Sequence, residues 1–420
     1  MLALKFIRAN PDAVRRAIAA KGIALDLDRL LALDAAVRSA KTRLEDLRAR
    51  KKRLSASIKE LSGEDRAQQV QRSRALDPEI ADLEERLAQD RSELDALMLR
   101  VPNIPWEGAP QGADAEANLV LRREGAPPRF EFTARDHVEL MALNGWAELT
   151  RVAQVCGSRS YALKGRLALL EQVLMLHALQ QLTARGFTVM SVPALAREAA
   201  FVASGHFPFG EEDAFRVPRD GLLLSGTAET VLNSLHSGEI LEEEQLPILY
   251  AGISPCFRRE AGSAGRDVRG LLRVHQFVKV EQFVLCRDDP EESARWHARL
   301  LANAEALLQD LELPYQVVEC ATGDMGVGKF RMNDIETWVP SLDRYRETHS
   351  CSSLHDWQAR RGNLRFRNRA GRVRLVHTLN NTAVASPRIL APLMENHQTA
   401  EGRVRLPAKL RPYFAGDEFL

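Results

Sequence analysis

Between Asp28 and Val101 apolar residues recur with alternating steps of three and four, and no other feature constrains the chain's architecture as strongly. One series is Leu30, Leu33, Val37, Ala40, Leu44, Leu47, then Leu54, Ile58 and Leu61. The other is Leu76, Ile80, Leu83, Leu87, then Leu94, Leu97 and Val101. Such spacing keeps one stripe of a helix facing a partner helix, which is the condition for a coiled coil. Each series has one polar lapse, Lys51 and Asp90. Between them Ser62-Gly63-Glu64-Asp65 reads as the only turn. Folding about it sets Leu47 near Ile80 and Leu44 near Leu83, an antiparallel hairpin spanning about 28–101. At about 1.5 Å per residue its arms are roughly 50 Å long. Pro78 has no N–H to donate, so an irregularity is expected there.

Charge separates the two arms. The first carries Arg38, Lys41, Arg43, Arg48, Arg50, Lys51, Lys52, Arg53 and Lys59, while Asp77, Glu79, Asp82, Glu84, Glu85, Glu93 and Asp95 crowd the second. A charge run by itself is more often a solvated face than a binding surface. Length argues for more: a hairpin this long buries little beyond its own seam, and a basic arm suits phosphates.

Pro and Gly then cluster from Pro102 to Gly112 and again at Gly125-Ala126-Pro127-Pro128, which reads as a linker region ending the helical domain. The rest mixes strand-like and helical runs, an α+β pattern. At 420 residues more than one domain is expected, with boundaries at 1–110 and 111–420. Lys and Arg number 58 against 57 Asp and Glu, so net charge says nothing about a nucleic-acid partner. Five widely spaced cysteines without a CxxC pair argue for a reducing cytoplasm. No apolar run is long enough to span a membrane, and the N-terminal run is too short for a signal peptide.

Three segments carry chemistry. A helix over Leu167–Leu182 leads through Gly186 into a strand-like run and Pro193, common scaffolding when taken alone. Next, Phe257-Arg258-Arg259-Glu260 precedes a polar loop, Ala261–Asp267, and then Arg273–Glu281. Two such runs should be antiparallel neighbours. A period of two then aligns Arg258 with Glu260, and Arg273 with Phe277 and Glu281. Charges this dense need partners or a ligand. An arginine fork matches phosphate or carboxylate, an aromatic stacks on a base, and a glutamate holds an ammonium. Finally, the run from His377 ends at Ser386-Pro387, a helix cap followed by proline, which sets Arg388 beside an anion-binding helix end.

Together these resemble the three signature motifs of class II aminoacyl-tRNA synthetases. Gly226-Thr227-Ala228-Glu229, Pro255–Ser263, Arg273–Phe277, Arg344–Ser352, Trp357–Arg361 and His377–Gln398 resemble the seryl-tRNA synthetases of the common bacterial type. The resemblance implies a long antiparallel coiled-coil hairpin followed by a catalytic domain built on an antiparallel β-sheet flanked by helices. It implies activation of L-serine by ATP, with Mg2+, and transfer to tRNA(Ser), and also to tRNA(Sec) where present. Arg258, Glu260 and Arg388 would be catalytic. Thr227, Ala228, Glu229, Arg258, Glu281, Asn380 and Thr382 would bind serine. Arg258, Arg259, Glu260, Arg273, Val274, Phe277, Glu347, Thr348, His349, Ser350 and Arg388 would bind ATP, with Glu347 and Ser350 holding the magnesium. The arm would bind tRNA, about 167–195 would form a homodimer, and the protein would be cytoplasmic, with no membrane partner.

The third motif departs from the class in lacking glycines before its arginine, and Pro392 falls inside the helix that follows. His349, Cys351 and His355 do not have the spacing of a tetrahedral zinc site, and no zinc is expected. The rarer methanogen-type seryl enzyme is zinc-dependent, but the arm and motifs here resemble the common bacterial type. An amino acid:carrier-protein ligase would not need the arm, and a non-catalytic coiled-coil protein would not need Arg258, Glu281 and Arg388.

Overall fold

The heptad stripe folds as its spacing requires. The computed structural model describes residues 1–261 and 270–420, so Gly262 and Ser263 of the second motif lie outside the described residues. Two compact units form: Leu2–Ala19 with Ile23–Val101, and Met1 with Ala20–Gly22 and Pro102–Leu420.

In the helical unit, α1 (Leu27–Ser57) begins where Asp26 accepts a hydrogen bond from Arg29 N at 2.9 Å. A short 3₁₀ turn leads to α2 (Gly63–Arg74), and α3 (Asp77–Met98) returns. Leu30, Leu33, Leu44, Leu47, Leu76 and Leu94 are buried, and the two polar lapses are half-buried in the same seam. Arg29–Glu93 at 2.6 Å, Arg43–Glu79 at 2.7 Å, Arg48–Glu84 at 2.7 Å and Lys51–Asp77 link the arms. These pairs are half-exposed and stabilise little, but they agree with the antiparallel register centred on Gly63. Pro78 lies in the first turn of α3, where its missing N–H costs nothing, and the helix breaks just before it at Ala75 and Leu76.

The second unit is organised by an eight-stranded sheet. Its strands are β1 (Leu119–Glu124), β2 (Thr188–Ser191), β3 (Ile248–Phe257), β4 (Gln276–Cys286), β5 (Tyr315–Glu319), β6 (Arg331–Val339), β7 (Arg344–His355) and β8 (His377–Ala385). They lie in the order β1-β5-β6-β7-β8-β4-β3-β2, antiparallel except for β2 with β3. Helices α4 (Gly165–Ala184) and α5 (Pro290–Asp310) pack on one face. Val280 and Val284 of β4, with Leu379 and Ala383 of β8, join Leu170, Leu174, Leu300 and Leu307 in that core. The opposite face is divided: Phe283 and Leu285 of β4 join a smaller apolar core with Leu232 and Phe366, and the rest carries polar residues.

Helix α6 (Ser386–Asn396) follows β8 directly. Its cap is Ala385, not Ser386 as expected from the sequence, and Ala385 lends no side-chain bond. The Ser386 hydroxyl instead accepts from Val278 N at 3.3 Å, tying the helix start to β4. Arg388 is still in the first turn.

Candidate active site

The polar face of β4 and β8 forms the floor of a cavity. Phe277, Lys279 and Glu281 line it from β4, Asn380 and Thr382 from β8, and Arg388 from the start of α6. Glu281 pairs with Gly252 on β3 and with Thr382 on β8. A Cβ at Gly252 would fall 2.7 Å from Leu232 Cδ1 and 3.1 Å from Ala228 Cβ. The glycine therefore lets the helix Glu229–Ser234 lie close on the sheet, with Glu229 beside Glu281.

One half of the cavity is a buried network. Asn380 Nδ2 donates to Glu229 Oε2 at 2.9 Å and to Glu281 Oε1 at 3.1 Å. Gln358 Nε2 donates to Glu229 Oε1 at 2.7 Å, and Lys279 ion-pairs with Glu281 Oε2. Lys329 Nζ reaches Asn380 Oδ1 at 3.4 Å. Burial works against a charge on Glu229, yet Lys329 and the Gln358 bond outweigh it and hold this carboxyl below the usual range. Burial lowers His206 to about 4, so its ring is neutral at pH 7. Two carboxylates, an amide and hydroxyls from Thr227 and Thr382 therefore converge at one end.

The other half is arginine-rich. The Arg258 guanidinium lies 5.4 Å from the centre of the Phe277 ring, and Arg273 pairs with Glu260 at 2.5 Å. Arg388 donates to Glu347 Oε1 at 3.0 Å, and Ser350 lines the wall on the same strand as Glu347. Burial opposes ionisation of Glu347, but Arg388 and Arg258 prevail and keep its carboxyl below the usual range.

Most of the expected site residues meet here: Thr227, Glu229, Arg258, Glu260, Arg273, Val274, Phe277, Glu281, Glu347, Thr348, Ser350, Asn380, Thr382 and Arg388. Three do not line the cavity. Ala228 is buried against the sheet, and Arg259 is exposed, with its backbone N–H on Asp213 O at 2.9 Å. His349 is turned to the core, bonded to Thr348 Oγ1 at 2.8 Å and Ala383 O at 3.1 Å. The reason for His349 is strand parity beyond the register shift that separates it from Glu347: Ser350 and Ser352 face the cavity, so His349 and Cys351 face the helices. Arg258, Glu260 and Arg273 also differ from the strand-face expectation. Strand β3 ends at Phe257 and β4 begins at Gln276, and Glu260 turns back with φ 53°. The Arg273–Glu260 pair spans those two chain ends.

Residues 1–105 match the family model for the seryl-tRNA synthetase N-terminal domain, and 215–397 match that for the tRNA synthetase class II core domain (G, H, P, S and T). A serine–tRNA ligase of Deinococcus radiodurans is 55% identical, aligned over 100% of this chain and 99% of its own. This chain belongs to the seryl-tRNA synthetase family. A serine–tRNA ligase of Symbiobacterium thermophilum is 41% identical over 98% of each chain. Among solved structures, seryl-tRNA synthetase from Pyrococcus horikoshii complexed with ATP superposes with a TM-score of 0.92 at 36% identity, covering 100% of this chain and 99% of that one. A cytoplasmic serine–tRNA ligase from Naegleria fowleri in complex with AMP gives 0.86 at 28% identity, over 99% and 96%.

The donors around Glu347 suit a hard cation. Its carboxylate and the Ser350 hydroxyl are oxygen ligands of the kind magnesium takes alongside phosphates. Behind them Asp334 Oδ1 is buried without a hydrogen-bond partner, and burial together with Glu347 pushes this carboxyl well above its usual range. A buried acid left short of positive charge fits a cation nearby. His349, Cys351 and His355 do not converge: Cys351 Sγ lies 3.9 Å from His297 Nδ1, and the His355 ring stacks on Phe330 and His377. Among the described residues the three-ligand group is instead Cys320, Asp324 and Asp334. No helix among them is long and apolar enough to cross a membrane.

Sequence reasoning assigned no role to Lys279, Lys329, His206 or Ser352 of this synthetase's cavity. Lys279 shares parity with Phe277 and Glu281, so the period of two was enough to find it. Lys329 and His206 come from connecting segments, where no periodicity exists.

Proposed function

We propose that this cavity joins L-serine to ATP, forming seryl-adenylate and pyrophosphate, and that the protein passes the serine to tRNA(Ser) as a serine–tRNA ligase. The observation that carries the reading is the adjacency of two complementary halves. Glu229 and Glu281, bridged by Asn380, offer acceptors for an ammonium and a hydroxyl, while Arg258, Phe277 and Arg388 offer a surface for a nucleoside triphosphate.

The chemistry demands little more than alignment and charge. The serine carboxylate attacks the α-phosphorus and pyrophosphate leaves, so two anions must approach each other. Arg258 holds both the carboxylate and the α-phosphate, and Glu260 accepts from the adenine amino group. Phe277 and Arg388 enclose the base, with Arg388 reaching the γ-phosphate, and Val274 lies along the nucleotide. Thr227 and Glu229 take the ammonium, and Glu281, Asn380 and Thr382 surround the side chain. Glu347 and Ser350 would hold magnesium, which when bound would neutralise phosphate charge. In the second step a ribose hydroxyl of the tRNA attacks the adenylate carbonyl, and no protein nucleophile is needed.

The basic arm supplies the tRNA contact. Among the described residues Lys41, Arg50, Lys52, Arg53 and Lys59 enter no ion pair in the hairpin, which leaves them for phosphates. A homodimer would form through α4 and β2, where Leu169, Leu176, Val189 and Leu195 are exposed on and beside an edge strand. Five free cysteines suit a cytoplasmic protein. The test is ATP–pyrophosphate exchange with each of the twenty amino acids: exchange with serine above all others is expected, and its absence with serine overturns the reading.

A further inference from the structure

His137 and Glu395 belong to none of the walls described above, yet they reach one of them. Glu395 is fully buried near the end of α6, the helix whose first turn holds Arg388. Its Oε1 accepts from His137 N at 2.9 Å and lies 2.7 Å from His137 Nδ1, while Oε2 accepts from Ser341 N at 3.0 Å. On the far side of the ring, Leu271 N donates to His137 Nε2 at 3.2 Å.

Both ends of this relay are fixed by backbone N–H groups, which can only donate. Nε2 must therefore be the acceptor, which puts the ring proton on Nδ1, facing Glu395. The fit is close: a Cβ at Gly270 would fall 2.2 Å from Nε2, and Gly270 has φ 72°. The backbone thus passes directly beneath the imidazole. Immediately after it come Leu271, Leu272, Arg273 and Val274, which line the cavity, and Arg273 pairs with Glu260.

We infer that His137 is a positioning residue for nucleotide use: held by Glu395 as the Nδ1–H form, it anchors Leu271 and so sets where Arg273 and Val274 stand against ATP. The two walls of the nucleotide half are then tied to each other, since α6 carries Arg388 at its start and, through Glu395 and His137, holds the segment opposite. The inference rests on the proposed ATP-dependent activation.

Two isosteric variants separate the parts of the ring. His137→Asn keeps a donor where Nδ1 stands but leaves Leu271 N–H without an acceptor. His137→Gln can place its amide oxygen where Nε2 stands. In serine-dependent pyrophosphate exchange, His137→Asn should raise KM for ATP about tenfold, with KM for serine within about twofold, and His137→Gln should restore most of the loss. Equal KM for ATP in both variants, or an equal loss for serine and ATP, overturns the inference. A wild-type protein without serine-dependent exchange would instead overturn the activation reading. Should neither variant fold, neutron diffraction from the wild-type protein decides: deuterium on Nδ1 alone is expected, and deuterium on Nε2 overturns the assignment.

Discussion

Arg388 donates to Glu347 at 3.0 Å, from the first turn of a helix to a strand three places away in the sheet from β3. Before any ligand arrives, each side chain is thus held by the other at the end of the cavity assigned to the triphosphate. Arg388→Ala should reduce kcat/KM for ATP by about 1.5–3 kcal/mol, the worth of one charged hydrogen bond, while the fold survives. Exchange kinetics at varied ATP check it, and an unchanged ATP dependence removes the role.

Lys279 and Glu281 form an ion pair in which both side chains are almost wholly buried. Removing one partner of such a pair strands the other charge, at a cost of about 3–5 kcal/mol. Lys279→Met should therefore lower the thermal midpoint substantially, and adding Glu281→Gln should recover much of the loss. A double-mutant cycle by thermal or urea unfolding measures the coupling. Additive effects would mean the pair is not linked in the folded protein.

Deleting about residues 30 to 97 takes out a hairpin whose apolar seam is its own: Leu33 and Leu44 of α1 and Leu94 of α3 are buried within the helical unit. The remainder should fold and still form adenylate. Serine transfer to tRNA should fall sharply and lose most of its dependence on salt, because the phosphate contacts go with the arm. Normal charging by the truncated protein would reduce the arm to a spacer.

How much of this was legible in the sequence depends on how local each cause is. The coiled-coil seam is written in steps of three and four, so Leu30 to Leu97 could be placed before any coordinates. Strand parity likewise joined Phe277 to Glu281. The same rule, extended past the strand ends, misplaced Arg258, Glu260 and Arg273, because nothing local announces that β3 stops at Phe257 or that Glu260 turns back with φ 53°. His349 was drawn in by its neighbours, although past the register shift after Glu347 alternation turns it away from the side that Ser350 faces. Lys329 and His137 were beyond reach for a different reason. Their partners, Asn380 and Leu271, lie far off along the chain, and only the folded sheet brings them together.

The choice of serine is the hardest task set for the cavity. Serine differs from alanine by a hydroxyl and from threonine by a methyl. A pocket that pairs with the hydroxyl rejects alanine strongly, to roughly 10⁴ or more, because its own polar groups are left unpaired when the hydroxyl is missing. Threonine must be excluded by size, which usually yields only about 10–200-fold unless the walls are rigid. Glu281 and Thr382 are paired across adjacent strands in the middle of the sheet, and Asn380 braces Glu281 from the same face. Both sit inside their strands, which leaves them little freedom to move. Glu281→Ala should therefore cripple serine activation far more than it changes KM for ATP. Thr382→Ser, which removes a wall methyl and keeps the hydroxyl, should mainly relax the exclusion of threonine. Exchange kinetics with serine, alanine and threonine for each variant give the answer. Equal losses for all three amino acids in Glu281→Ala would mean that the carboxylate shapes the site and does not read the hydroxyl.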